Sequence, residues 1–276
     1  MAVIAMTREM GSRGKDVAQG LAESLGLKVI HSELVEHDLA TRLGVQESAV
    51  HRYLEGGASV FDRWKIDKEK LSRYTAEEIL EFARDGNVVI RGWGAVAVLR
   101  AVPHVLRVRL CAPMPFRERV IMERLDLKEA SQARSEIEQS DAAHARVMRG
   151  FFRVDWEDPQ LYHVVLNTGS VPVETCVRIV RLLTDDPAFQ ENEASRAVLS
   201  DRLIQARARS VLEAVRSERN IGTGVEVAVI AGKVILSGVI GHGGDDLASV
   251  VDKMREIDGV KEVENNIQRA PMGSGI

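Results

Sequence analysis

The chemistry-bearing residues of this sequence gather near its start. Arg8, Gly11, Ser12, Arg13, Gly14, Lys15 and Asp16 stand in one short stretch. Three cations beside two glycines suit an anion, because glycine lets backbone approach closely without a Cβ and the side-chain charges neutralise what is bound. A phosphorylated ligand fits that pattern. Asp16 is the one carboxylate of the set placed to hold Mg²⁺, directly or through water, or to favour a helix N-terminus.

The flanking residues say what positions the stretch. Ala2–Met6 is a short apolar run and reads as a buried strand. Val17, Ala18, Leu21, Ala22 and Leu25 recur at helical spacing, and Gly26 stops the helix. A loop between such a strand and helix can aim backbone N–H groups at an anion, at the positive end of the helix dipole. The loop is not a Walker A sequence, which would need glycine at position 9 and Ser or Thr at 16, where Glu9 and Asp16 stand. By spacing alone it fits either a nucleotide loop or an ordinary strand-to-helix turn.

Composition narrows the class. The 276 residues allow two domains. A net charge of −4 gives no support for a nucleic-acid or anionic-membrane surface. No apolar run approaches the length of a membrane span, and the opening run is too short for a signal-peptide core. Cys111 and Cys176 are the only cysteines, so two reduced thiols are expected, with neither a disulfide framework nor a thiolate metal site. A cytoplasmic protein is expected.

Further strands and helices alternate along the chain. Leu27–Ile30 reads as a second strand and Ser32 as the cap of the next helix, with Glu33 left open as a substrate contact. Tyr53, Phe61 and Trp64 lie in a less regular segment, 44–74. Thr75-Ala76-Glu77-Glu78 has the pattern of a capping box, predicting a helix start there. Asn87–Ile90 is an apolar strand whose end carries Arg91, a candidate phosphate or substrate contact, since ligands gather at the carboxyl ends of parallel strands. His104–Leu110 and Leu161–Leu166 complete the strands, with helices over Pro115–Leu125 and about 128–153 and a closing helix through Val173–Leu183. The alternation predicts an α/β fold, a parallel sheet with helices on both faces.

Several segments, in order, resemble the cytidylate kinase-like family. They are Thr7–Ala18, Val88–Ala95, Leu106–Pro113 with Phe116–Arg119, and Asp155–Thr168, together spanning about residues 1–184. The resemblance implies a P-loop kinase fold, ATP and Mg²⁺ as cofactors, and transfer of a phosphoryl group to a nucleoside monophosphate such as CMP. It implies phosphate binding by Arg8 and Gly11–Asp16, and charge stabilisation by Arg13 and Lys15. Arg117 matches the family's arginine after an Ala-Pro turn, and Asp141 its lid aspartate, which makes both substrate contacts. Arg146 and Arg149 stand as lid arginines. Trp93 and His144 occupy positions where the family carries arginine.

Residues 185–198 are polar, acidic and Pro-containing and read as a linker. Beyond it, 199–270 reads as a small α+β unit in the order α-β-β-α-β. Gly232–Val239 and Gly259–Asn265 resemble a BON domain, which implies a small ligand or a protein partner and leaves a homo-oligomer open. The Gly241–Gly244 turn reads as surface. Two functional expectations result: a nucleotide kinase-like enzyme, or a non-catalytic nucleotide sensor signalling through the second unit. An interaction protein with a purely structural kinase fold is a third.

Overall fold

The computed structural model describes residues 1–54, 67–92, 94–219, 224–240 and 247–269, with only the backbone described at 32–35, 53–54, 216–219 and 247. Phe61, Trp64, Trp93 and the 241–244 turn lie outside the described residues, and Tyr53 is described in backbone only. The chain divides into two compact units, Met1–Ser195 and Arg196–Ile276.

The first unit is built on five parallel strands in the order β2-β3-β1-β4-β5. These are β1 (Val3–Arg8), β2 (Lys28–Ile30), β3 (Val88–Arg91), β4 (Val105–Cys111) and β5 (Val164–Asn167). Central strand β1 is buried along nearly its whole length, as its apolar run requires. Register pairs Ile4 with Val89 and with Leu106, and Met6 with Val108. Those residues pack with Val17, Ala18 and Leu21 of α1 (Gly14–Leu25) and Cys176 and Val180 of α8 (Val173–Thr184). Alternation turns Ala5, Ile90 and Arg109 to the opposite face. There α4 (Lys68–Asp85) meets β3, and α5 (Ala95–Val98) meets β1. The sheet is therefore covered on both faces. After β3 the chain crosses to the other side of β1, so the carboxyl end of β1 lies at the reversal of strand order, where open α/β sheets bind ligands.

The remaining helices of this unit are α2 (Ser32–Leu43), α3 (Glu47–Leu54), α6 (Met114–Leu125) and α7 (Ala130–Phe152). The capping-box expectation at Thr75 is corrected. Helix α4 starts at Lys68, where the Asp67 side chain accepts from the Glu69 and Lys70 amides. Thr75 sits mid-helix, its hydroxyl bonded back to the Leu71 carbonyl. Asp67 satisfies the orphan amides first, so the later Thr-x-x-Glu spacing has none left to cap. The 185–198 stretch holds a 3-10 turn at Pro187–Phe189 and the start of α9 (Glu193–Arg219). Phe189 packs against the first unit's core, Glu191 pairs with the chain's amino terminus at 3.3 Å, and the buried Ser195 hydroxyl lies 2.9 Å from His104 Nδ1.

The second unit has a three-stranded sheet, β6 (Val225–Ile230), β7 (Lys233–Ile240) and β8 (Glu262–Arg269), with β6–β7 antiparallel and β7–β8 parallel. With α9 and α10 (Leu247–Arg255) it has the order α-β-β-α-β. Val227, Leu236, Val250 and Met254 lie in its core with Leu212 and Val215. Asp201 of α9 accepts from the amides of Ala231 and Gly232, at 2.7 and 2.8 Å, and so fixes the β6–β7 turn. Asp201→Ala leaves those amides without their acceptor and should cost about 1–3 kcal/mol. Urea unfolding followed by circular dichroism should show the loss in the second unit. Fluorescence should not, because the three tryptophans all precede residue 195. A coincident shift in both signals would contradict an effect confined to that unit.

Candidate functional site

The residues between β1 and α1 form a tight loop. Gly11 has φ +80° and Arg13 φ +53°, both left-handed. Ser12 is fully buried; its amide and its hydroxyl both bond to the Glu9 carbonyl, the hydroxyl at 2.8 Å. Its own carbonyl accepts from the Thr168 hydroxyl at 2.7 Å. The fold itself requires both glycines. A Cβ on Gly11 would lie 2.8 Å from the Arg117 carbonyl oxygen, and one on Gly14 would lie 2.7 Å from Arg8 Cβ. The protein itself fills the space a side chain would take. Lys15 and Asp16 stand exposed in the first turn of α1, with Asp16 3.3 Å from Arg13 Nε.

Glu9 holds this loop to the sheet. Its amide donates to the Leu110 carbonyl at 3.0 Å, and its carboxylate accepts from the Ala112 amide at 3.0 Å. The same carboxylate takes Arg109 Nη2 at 2.8 Å and lies 3.6 Å from Arg117 Nη1. Arg109 also donates to the Trp156 carbonyl at 2.7 Å, with its guanidinium 4.4 Å from the Trp156 ring centroid. Arg117 donates from Nε to the Met10 carbonyl at 2.7 Å and from Nη2 to both Asp141 oxygens, at 2.8 and 2.7 Å. Both arginines are buried. Desolvating two guanidinium groups is costly unless carboxylates pair with them, and removing one partner of such a set costs about 3–5 kcal/mol.

Helix α7 contributes Asp141 and a run of further candidates. Arg146 and Arg149 are exposed, and Arg149 lies 3.4 Å from Asp155. His144 packs edge-on against Trp156, ring centroids 4.5 Å apart. Its Nε2 is buried without a hydrogen bond. Burial, then the cations Arg8 and Arg109, lower its pKa to about 4. His144 is therefore a neutral wedge at pH 7 and carries none of the charge that an arginine would bring to that position.

An open cleft of about 360 Å³ adjoins the loop. Arg13 and Asp16 line one side, Phe116 another, and Thr168–Glu174 the rest. Asn167 shapes that last wall: its side chain accepts from the Gly169 amide and its carbonyl from the Ser170 and Val171 amides.

The structure thus brings Arg8, Gly11, Ser12, Arg13, Gly14, Lys15 and Asp16 together at the carboxyl end of β1. Arg91 ends neighbouring β3, opposite Met6 and largely buried. Arg117 is committed to Asp141 and to the loop, and Asp141 to Arg117. Glu33 lies in the first turn of α2, with its side chain outside the described residues. Sequence reasoning gave no role to Glu9, Arg109, Trp156 or Thr168. The available signal was Arg109, which with Arg107 puts charge on a strand whose other residues suit burial.

A profile of the cytidylate kinase-like family matches residues 3–170. The chain belongs to that family. The chain is 27% identical over 179 residues to "Cytidylate kinase" of Pyrobaculum aerophilum, covering 65% of this chain and 90% of that protein. It is 27% identical over 200 residues to "Cytidylate kinase" of Natronomonas pharaonis, covering 71% and 96%. An uncharacterised protein from Eubacterium ventriosum shares the fold, with TM-score 0.52 and 18% identity over 67% of this chain and 99% of that one. The matched family region holds the loop, the Glu9 contacts and α7. Among the described residues no helix is long and apolar enough to cross a membrane.

Gly11→Ala forces a left-handed alanine against the Arg117 backbone and should destabilise the first unit by about 1–3 kcal/mol, read as a lowered urea midpoint; an unchanged midpoint contradicts the packing. Acid should also destabilise this unit. His163 Nδ1 accepts from the Arg107 amide, and burial followed by Arg107's charge lowers its pKa to about 4 as well. Both imidazoles remain neutral when folded but protonate near 6.5 when unfolded. The unfolded state then binds more protons, so their stabilisation is complete above pH 6.5 and is lost as pH falls toward 4. His144→Phe should shrink the difference in urea midpoint between pH 7 and pH 5, and a variant with the wild-type difference would contradict a neutral buried His144.

Proposed function

We propose that the first unit is a nucleoside monophosphate kinase-type phosphotransferase that binds ATP at Gly11–Asp16 and transfers its terminal phosphoryl to a pyrimidine monophosphate, CMP before others. The observation that carries this is the glycine loop at the carboxyl end of the central parallel strand, running directly into α1 with Arg8, Arg13 and Lys15 around it. Free amides at a helix N-terminus with adjacent cations bind phosphate by geometry and charge together. The adjoining cleft is of a size for the donor's base, with Phe116 and the 168–174 turn as its walls. The names carried by the relatives support CMP as acceptor.

Phosphoryl transfer needs positioning and charge stabilisation more than a covalent nucleophile. Lys15 and Arg13 would face the donor phosphates, Arg91 and Arg146 with Arg149 the acceptor side. Asp16 fits Mg²⁺ by chemistry: a carboxylate suits a hard cation, and its pair with Arg13 is solvent-exposed and readily exchanged. The ion, when bound, supplies further neutralisation of phosphate charge. The second unit is read as BON-like from its α-β-β-α-β order and its hairpin, and as the place for a small ligand, a protein partner or self-association.

One observation favours the alternative of a non-catalytic nucleotide sensor: neutral His144 packed on Trp156 where the family has an arginine. An assay of ADP release over CMP, dCMP, UMP, AMP and GMP separates the two. CMP should give the highest kcat/KM. Arg146→Ala should lower kcat by about tenfold or more with little change in ATP binding, because a charge acting in the transition state is lost. ATP binding without transfer to any monophosphate would replace the enzyme by the sensor. Absence of ATP binding would overturn both.

A further inference from the structure

A chain of alternating charges runs from α7 to the loop: Asp141, Arg117, Glu9, Arg109. Each link joins a different element. Asp141 is on α7, Arg117 on α6, Glu9 on the loop after β1, and Arg109 on β4. Arg117 is the pivot, for it grips Asp141 with two hydrogen bonds and the loop with two contacts, to the Met10 carbonyl and to the Glu9 carboxylate. Its backbone also lies against Gly11, where no side chain would fit. A shift of Asp141 therefore has to move the Arg117 guanidinium, and that guanidinium holds Met10 and Glu9. Because its Nε and Nη2 donors are already spent on protein acceptors, Arg117 is poorly placed to bind a ligand and well placed to transmit position.

We infer that Glu9 and Arg117 are positioning residues that couple α7 to the anion loop, so that the geometry of Gly11–Asp16 depends on whether Asp141 is seated on Arg117. The inference rests on reading Gly11–Asp16 as the nucleotide loop and adds to it a control from α7. Seating and release of Asp141 then bias the loop between two arrangements, and by reciprocity a ligand on the loop biases α7.

The test uses the full chain with Asp141→Asn, which keeps shape and removes charge at the more exposed end of the network. Two readouts are taken: amide hydrogen exchange of residues 10–13 without ligand, and affinity for a fluorescent ATP analogue. Asp141→Asn should speed loop exchange while β1 and β4 amides keep wild-type rates. It should weaken analogue binding about three- to tenfold, and the double variant with Arg117→Lys should be no weaker than Arg117→Lys alone, because both changes break one link. Asp141→Glu, which restores the charge, should recover part of the protection. Wild-type exchange and affinity in Asp141→Asn, additive losses in the double variant, or faster exchange throughout the sheet would each overturn the coupling. If the wild-type chain binds no analogue, the nucleotide reading fails, and loop exchange alone still decides the coupling.

Discussion

Two buried guanidinium groups beneath the first loop must be neutralised, and Glu9 is the group that meets them both. Arg109 comes from the inside of a strand and Arg117 from the buried side of a helix. Neither can reach water without unpacking the sheet or α6. The Glu9 carboxylate, with the Ala112 amide as a further donor, answers that demand at the point where β1 ends. The loop is consequently tied down before it turns. Its left-handed residues, the buried Ser12 and the tight neighbours of Gly11 are consequences of a chain that must leave Glu9 and enter α1 in a few residues.

That anchoring also gives Glu9 a structural role at a position where the Walker A pattern has glycine. Glycine at position 9 would leave Arg109 and Arg117 without their shared carboxylate. The same network sorts the arginines of the site into two groups. Arg109 and Arg117 are spent on the scaffold, whereas Arg13, Arg146 and Arg149 stand at the surface, where an anion can reach them. His144 belongs with the scaffold, its ring packed edge-on against Trp156 and kept neutral by burial and by the charges of Arg8 and Arg109.

Much of this was legible in the sequence. The apolar run before the loop and the helical spacing after it located β1 and α1, and the alternation of strands and helices anticipated a parallel sheet covered on both faces. The glycines and cations marked the loop itself. The ion network was not legible, because its members stand far apart in the chain and meet only in the fold: Glu9 and Arg109 become neighbours because β1 pairs with β4, Thr7 opposite Arg109, and Arg117 and Asp141 because α6 packs against α7. For the same reason Arg117 and Asp141 read as two ligand contacts, although in space they are one ion pair. The Thr75 capping box was misread because local spacing cannot show that an earlier residue, Asp67, already caps the helix.

On the proposed reading, the anchored loop and its adjoining cleft bind a nucleoside triphosphate. Amide hydrogen exchange of the full chain with and without Mg²⁺-ATP tests it most directly. Protection concentrated at residues 9–17 and 168–174 is the predicted result. Exchange unchanged at both segments under saturating nucleotide would contradict it.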